Sequence, residues 1–493
     1  MASEIYVSTN PADWTRLEGL YISERTPPAF VVGRDLSTVG MATRTVRGPL
    51  TPQVITSPAR FLEIYGGRDF GSGGAIVNEG WKALLNKRFG RIVVRRVTAA
   101  AAAAATVTLD DTPGAGGTNI ITVAASSVGA WGNDLRVSIE NATSGVSTQF
   151  NLRVKWAGRE TLYQNLDTSG SNNNLLAVLG DDLGNLVVVT KLANGRPHNQ
   201  TDTALSGGSD GSIADSDYVA GLTDIANYEG VSICLIPEAP PTPATVHTSM
   251  VSLAGQVSDR VFLTWSGVLT NTPAQEISAI SAQITTRSDR IIWCYNPTKT
   301  LDPETATLVD QAPHVWMASI LSQTDVDIHP GDHDNAPLLS GITEVRNSAL
   351  TRSDLISLRD AGISTLERLP GEFNFRSGVT SLLTPGRTEI TRRRMTDFLQ
   401  LSMAERLKFH VKKRNTVERR LTIRSEVEGF LQPLKDQERI VEDFEINQDS
   451  VNTAASRAQG IERMLVRVNT IDHILHFVLD TEIGSAVEIQ AAA

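Results

Sequence analysis

The chain has 493 residues, 41% of them hydrophobic and 20% charged, with 38 Gly and 21 Pro. At roughly 100–200 residues per domain this predicts about three or four domains, and the composition excludes a collagen, a coiled coil and a disordered chain. The formal net charge of -10 gives no global attraction to nucleic acid or to an anionic membrane, so partners have to be sought region by region.

Cys234 and Cys294 lie inside the apolar runs 231–237 and 290–295. One such pair is no disulfide framework, and there is no second pair to build a zinc site, so both read as reduced core residues of a chain folded in the cytosol. The first residues lack a basic and then apolar leader, and no run approaches the roughly 18 apolar residues of a membrane span. Neither signal-directed secretion nor membrane insertion is expected.

Residues 1–28 hold one short alternating run, Ile5-Tyr6-Val7, which is too short to fold alone. It is either a terminal strand tied into its own chain or an arm that pairs with another. From 29 to 98 strands and helices alternate: a strand at 30–33, a helix capped by Ser57 through 60–62, a helix over 75–89, and a buried strand at 91–95. This is α/β grammar. The seven alanines 99–105 favour helix by propensity, while the Pro, Gly and Thr around them favour a connector.

Residues 99–207 change character. Alternating runs at 120–123, 135–139 and 150–154 are separated by Gly, Asn and Ser clusters, the pattern of a small β-rich domain. After the loop 205–212 the α/β pattern resumes, with strands at 231–236, 260–264 and 290–294 and helices at 245–257 and 273–286. The simplest organisation is one discontinuous α/β core, 29–98 with 208–388, interrupted by an inserted β-rich domain. An α+β C-terminal domain over 389–484 follows. Its first helix carries Met395, Phe398, Leu399, Leu407 and Val411, and Asn415 with Glu418 forms a capping-box signal for a second. Strand-like runs at 463–468 and 474–479 close it, and residues 485–493 form a C-terminal arm with the short run Val487-Glu488-Ile489.

The densest polar cluster, His329 to Asn335 in the loop His-Pro-Gly-Asp-His-Asp-Asn, has donors that zinc or iron accepts. A solvated turn of Asx-type hydrogen bonders is the stronger reading of a segment broken by proline and glycine. The glycine-rich stretch 66–74 lacks the Gly-Lys-Ser/Thr of a phosphate loop and the dinucleotide spacing, and no nucleophile elbow or His-Glu-x-x-His pair occurs. Charge is more informative. Residues 392–424 hold eleven Lys and Arg against three Asp and Glu, a balance of +8, and residues 425–450 hold two against eight, a balance of -6. These blocks are either solvated helix faces or complementary docking surfaces, and without interleaved aromatics nucleic acid is the poorer partner.

Several segments together resemble the tail sheath protein of contractile-tailed bacteriophages. The most specific is Gly129-Ala130-Trp131-Gly132-Asn133, which looks like the family's Pro-Gly-x-Trp-Gly-Asn turn ahead of a strand, with Val128 where proline is usual. Residues 48–57 with 61–66, then 335–342 with 358–363, and finally Phe430-Leu431 and Asn452-Thr453, resemble further family segments in the same order. The resemblance spans nearly the whole chain and departs most at 375–380.

It implies a structural protein and no enzyme, with no cofactor. The subunit would polymerise helically around the tail tube, contract from a metastable extended state and drive the tube through the host envelope. Its partners would be itself, the tail tube protein, and baseplate and tail-terminator proteins, within a virion assembled in the host cytoplasm. The C-terminal domain would lie innermost and the insertion outermost. Two unplaced runs then acquire a use, since Ile5, Tyr6 and Val7, and Val487, Glu488 and Ile489, suit strand addition to neighbouring subunits. The tube-contact candidates are Arg392, Arg393, Arg394, Lys408, Lys412, Lys413 and Arg414. The rival readings are another tail or baseplate structural protein and a metal-dependent enzyme with a site near His329 and His333.

Overall fold

The computed structural model describes residues 35–66 and 92–475, except 115, 181, 258, 302–306, 333, 337–338, 340 and 449, together with the backbone of residues 5–7 and 20–22. The chain divides into two compact units, one of residues 35–397 with 472–493 and one of residues 1–34 with 398–471.

An eight-stranded sheet organises the larger unit, in the spatial order Glu372–Phe375, Ile363–Leu369, Ile291–Tyr295, Val261–Thr264, Ile233–Leu235, Val39–Arg44, Ile92–Val97 and Gln53–Ile55. The six inner strands are parallel, and the two edge strands run antiparallel to their neighbours. The inner strands are nearly unbroken apolar runs because both faces of the sheet are covered. Alternate residues serve the two faces. Ile233, Leu235, Leu263, Ile292 and Cys294 join one core with the helix Pro313–Leu321, while Cys234, Phe262, Trp293 and Tyr295 join another with the helices Asp215–Asn227, Pro243–Gln256 and Pro273–Gln283. Both cysteines are free and buried.

Between the strands Ile92–Val97 and Ile233–Leu235, residues 106–204 build two antiparallel sheets around a core of their own. One has the order Arg159–Leu166, Phe150–Trp156, Arg136–Asn141, Gln200–Ala204; the other has Val187–Lys191, Asn119–Ala125, Thr106–Asp110. Leu109, Ile121, Val123, Val137, Ile139, Phe150, Leu152 and Val154 fill the space between them. The alanine run is a connector. Its backbone groups pair outside the run, with Ser209 at Ala103 and with Ala125 at Ala105, so tertiary pairing overrides a helical propensity of a few tenths of a kcal/mol per residue (~0.5).

In the smaller unit, Ile5–Val7 pairs in parallel with Leu20–Ile22. The end of the helix Ile390–Leu407, the 3-10 turn Lys408–His410 and the helix Val417–Asp436 precede an antiparallel hairpin of Val441–Asn447 and Leu465–Thr470. Leu399, Val427, Phe430, Leu431, Ile440 and Val441 are its buried apolar side chains among the described residues.

Several sequence expectations need correction. The helix Val417–Asp436 is capped by Thr416, whose hydroxyl accepts from Arg419 N at 3.2 Å, and Asn415 instead bonds Glu462 and Arg420 through its side chain. Residues 471–475 form no strand. The strand Val39–Arg44 went unseen because Gly40 and Thr43 break its apolar run; a Cβ on Gly40 would lie 2.3 Å from Ile225 Cγ2, so the helix Asp215–Asn227 packs directly on that backbone. Ser57 caps Pro58–Tyr65 as expected, accepting from Arg60 N at 3.2 Å. The runs 30–33, 75–89 and 476–479, and the arm residues Val487, Glu488 and Ile489, lie outside the described residues.

Candidate functional site

The turn singled out in the sequence is a joint. Gly129 has φ 130° and opens the 3-10 helix Ala130–Asp134, a backbone region that glycine enters without the penalty a side chain incurs. Its N–H donates to Ala103 O at 2.9 Å, Ala130 N donates to Asp210 Oδ1 at 3.0 Å, and Asn133 exchanges two 2.9 Å bonds with the backbone of Gly208. The entry and the exit of the β-rich insertion are therefore tied to the same five residues. A Cβ on Gly132 would sit 2.8 Å from Ala125 Cβ and 2.9 Å from Ala105 Cβ, which explains why both neighbours are small.

Two arginines that sequence reasoning missed complete the joint. Arg96, buried in the strand Ile92–Val97, donates to the carbonyls of Thr45, Val46, Gly48 and Val128 at 2.9–3.3 Å. Position 128 contributes through its carbonyl, which valine and proline share. The guanidinium of Arg47 lies 5.6 Å from the Trp131 ring and 5.3 Å from the Trp156 ring, and the two indoles meet edge to face at 5.4 Å. Burial pulls the Arg47 pKa down to about 10, with the Arg159 charge assisting. For Arg96 the available signal was the pair Arg95-Arg96 in an otherwise apolar strand, since a buried arginine has to find acceptors; Arg47 carried no such signal.

The switch point of the sheet and the loop after residue 329, where chemistry would first be sought, are occupied by the protein's own side chains. In an open α/β sheet, ligands bind beyond the carboxyl ends of the strands where the strand order reverses. Here that is the seam between Val39–Arg44 and Ile233–Leu235. Glu238, 4% exposed, accepts there from Thr43 Oγ1 at 2.9 Å and Arg44 N at 2.7 Å. His314 donates from Nε2 to Ile236 O at 2.8 Å and stacks on Trp265. Burial raises the Glu238 pKa to about 7 and lowers that of His314 to about 3. In the loop after residue 329, the Asp332 carboxylate accepts from Asp334 N, Asn335 N and Asn335 Nδ2 at 3.0–3.1 Å, an Asx-type turn; His333 lies outside the described residues. A cavity of about 510 Å³ beside this loop is lined by Arg352, Arg359, Arg376, Glu367 and Glu389. Arg376 pairs with Glu367 at 3.2 Å and Arg359 lies 3.7 Å from Glu389.

The basic block divides in two. Arg392 Nη2 donates to both carboxylate oxygens of Asp472 at 2.6 and 2.7 Å, and Arg393 reaches Asp397 at 2.5 Å and Asp289 at 3.3 Å. Burial works against the Asp289 carboxylate, but the Arg387 hydrogen bond and the Arg393 charge outweigh it and hold its pKa low. Arg394 is buried; it donates to Leu321 O at 2.8 Å and Thr324 O at 3.1 Å, closing the end of the helix Pro313–Leu321. Burial lowers its pKa to about 10. Its reading as a surface contact is therefore corrected: the guanidinium faces the helix end inside its own unit. Lys408, Lys412, Lys413 and Arg414 are exposed, and the last three make no side-chain ion pair with the described residues. The N-terminal run Ile5, Tyr6 and Val7 is paired with residues 20–22 of its own chain. Among the described residues the C-terminal hairpin has two strands and no third.

No family model matches the chain, and no curated protein matches it. Solved structures do. The sheath tail protein of Desulfitobacterium hafniense is similar at 15% identity and a TM-score of 0.60, over 92% of this chain and 100% of that one. That of Listeria innocua is similar at 14% identity and 0.62, over 89% and 96%. The helical sheath of the anti-feeding prophage in its contracted state is similar at 12% identity and 0.57, over 95% and 99%. The chain has the contractile-sheath fold. The likeness covers 92% of the residues, more than the larger unit of this chain holds alone. At such low identity the shared quantity is the pattern of strand pairing and burial, which many sequences satisfy.

Proposed function

We propose that this chain is the subunit of a contractile tail sheath of the bacteriophage type, which polymerises helically around a tail tube. From a metastable extended state it contracts and drives the tube through a host envelope. The observation that carries the reading is the likeness to sheath proteins along the whole chain, 92% of this one and 100% of the Desulfitobacterium protein. Its partners are other copies, the tube, and the baseplate and terminator proteins; it belongs to the virion tail and assembles in the host cytoplasm. The C-terminal domain lies innermost and the β-rich insertion outermost.

The lattice is linked by the arms. A pair of three-residue strands such as Ile5–Val7 with Leu20–Ile22 is too short to be stable by itself, and the hairpin Val441–Asn447 with Leu465–Thr470 offers two strand edges that the described residues leave unpaired. Strand addition by Ile5, Tyr6 and Val7 from one neighbour, through the edge that Leu20–Ile22 leaves open, and by Val487, Glu488 and Ile489 from another would add a strand at each edge of that hairpin. Each added hydrogen bond contributes about 0.5–1.5 kcal/mol net, so an arm holds its neighbour by a few kcal/mol while the globular parts rotate. The work of contraction comes from the difference between two packings, and no nucleotide or cofactor enters. Lys408, Lys412, Lys413 and Arg414 face the tube.

Sedimentation of the purified chain against a variant lacking residues 1–10 tests this reading. The full chain is expected to form large polymers, and the shortened one to remain a folded monomer. Polymers that survive the deletion would refute the arm mechanism, and a full chain that stays monomeric at high concentration would refute the sheath reading.

A further inference from the structure

The cavity of about 510 Å³ in the larger unit has the size of a small-molecule site, roughly 300–1,000 Å³. On the helix Arg352–Asp360, the lining residues Arg352, Leu355, Ile356 and Arg359 share one face by helical spacing. On the strand Ile363–Leu369, the alternate residues Thr365, Glu367 and Leu369 share one face of the sheet. Arg376 follows the edge strand Glu372–Phe375 and adds a third guanidinium.

The lining is fixed by its own packing. A Cβ on Gly331 would lie 2.3 Å from Phe375 O, and one on Gly378 2.8 Å from His329 Nε2, so the loop 329–331 packs directly on the segment 375–378. The Ser364 hydroxyl donates to Val379 O and accepts from Val379 N, both at 3.0 Å. A site held in this way loses little freedom when it is filled. Residues 375–380 are also where the chain departs most from the sheath sequence pattern, so the family supplies no occupant.

Three observations specify the ligand. Thr365 is 2% exposed and its Oγ1 has no hydrogen-bond partner, a state that is costly for a buried hydroxyl. Arg352 is exposed, makes no ion pair with the described residues, and stands on the first turn of its helix, where the dipole adds positive potential. Arg376 and Arg359 are 61% and 37% exposed against 13% and 20% for Glu367 and Glu389 beside them, so in each pair the cation stands outermost. Glu367 orients Arg376 through one of its five N–H donors. Leu355, Ile356 and Leu475 supply an apolar wall.

We infer that this cavity binds a small organic oxyanion, a phosphate or carboxylate carried on an apolar body. Arg352, Arg359 and Arg376 take the charge, Leu355 and Ile356 take the body, and the Thr365 hydroxyl bonds a polar atom that reaches the sheet. The site does not depend on the chain assembling into a sheath.

The test is calorimetric titration of the purified full chain with phenyl phosphate, and with inorganic phosphate and phenol as the two halves of that molecule. Phenyl phosphate is expected to fill one site per chain and to bind more tightly than either half. Arg352→Gln and Arg376→Gln are each expected to weaken it about tenfold. Arg368→Gln, at an exposed position on the opposite face of the same strand, is expected to leave it unchanged. Thr365→Val is expected to weaken binding severalfold without lowering the thermal midpoint of the free chain, since the hydroxyl it removes is unpaired. Unchanged circular dichroism is the folding control. The absence of saturable binding up to millimolar ligand would overturn the inference, as would a loss in Arg368→Gln as large as those at Arg352 and Arg376. Self-association that is lost in Arg352→Gln and Arg376→Gln, with no small-molecule binding by the parent, would assign the cavity to an acidic side chain of a second copy and overturn it equally.

Discussion

Glu238→Gln is the sharpest perturbation of the closed seam in the α/β sheet. In the folded chain the Glu238 pKa is raised to about 7, chiefly by burial, against an ordinary value of 4.5. The folded state therefore holds its proton over a range where the unfolded state has released it. Stability is fully present below about pH 4.5 and is lost progressively as the pH rises to about 7. Between pH 5 and pH 8 the loss amounts to about 2–3 kcal/mol, at roughly 1.4 kcal/mol per pKa unit. Glutamine keeps an oxygen to accept from Arg44 N and cannot ionise. Urea unfolding of both proteins at pH 5 and pH 8 should give similar midpoints at the lower pH and a clearly more stable variant at the higher. Equal stability of the two proteins at pH 8 would mean that Glu238 is hydrated, and that the seam is open to ligands after all.

Other outcomes follow from the joint and the basic block. Gly132→Val forces side-chain atoms against Ala105 and Ala125, whose Cβ atoms lie only 2.9 and 2.8 Å from where a Cβ on residue 132 would stand; it should cost about 1–3 kcal/mol and expose the insertion to early proteolysis. Arg394→Ala leaves the carbonyls of Leu321 and Thr324 without their donor and should lower stability by about 2 kcal/mol or more. Lys412→Glu with Lys413→Glu should leave stability within about 0.5 kcal/mol and, on the proposed sheath function, weaken binding to a tube. Thermal unfolding of these variants distinguishes the structural arginine from the exposed lysines.

The alternation of strand and helix was legible because both cores recruit alternate residues from the same parallel strands, and Cys234 and Cys294 lay in runs whose burial the composition already implied. The β-rich insertion was legible from its turns and its period of two. The joint was only half legible. Gly129, Trp131, Gly132 and Asn133 announce a tight anchored turn, but nothing local reveals that Asn133 bonds Gly208, or that Arg96 collects the carbonyls of residues 45, 46, 48 and 128. Those partners are distant in sequence, and pattern reasoning sees neighbours. The basic block misled for a related reason. Summed charge does not separate Arg392, Arg393 and Arg394, which are spent on Asp472, Asp397 and helix carbonyls, from Lys412, Lys413 and Arg414, which are free of ion pairs among the described residues. Burial made the distinction.

Electron microscopy of the purified full chain at high concentration tests the central claim most directly. A sheath subunit should appear as long hollow cylinders of helical symmetry, with a central channel wide enough to hold a tube and this fold as the repeating unit. A uniform field of single particles under those conditions, or a closed small oligomer without a channel, would contradict it.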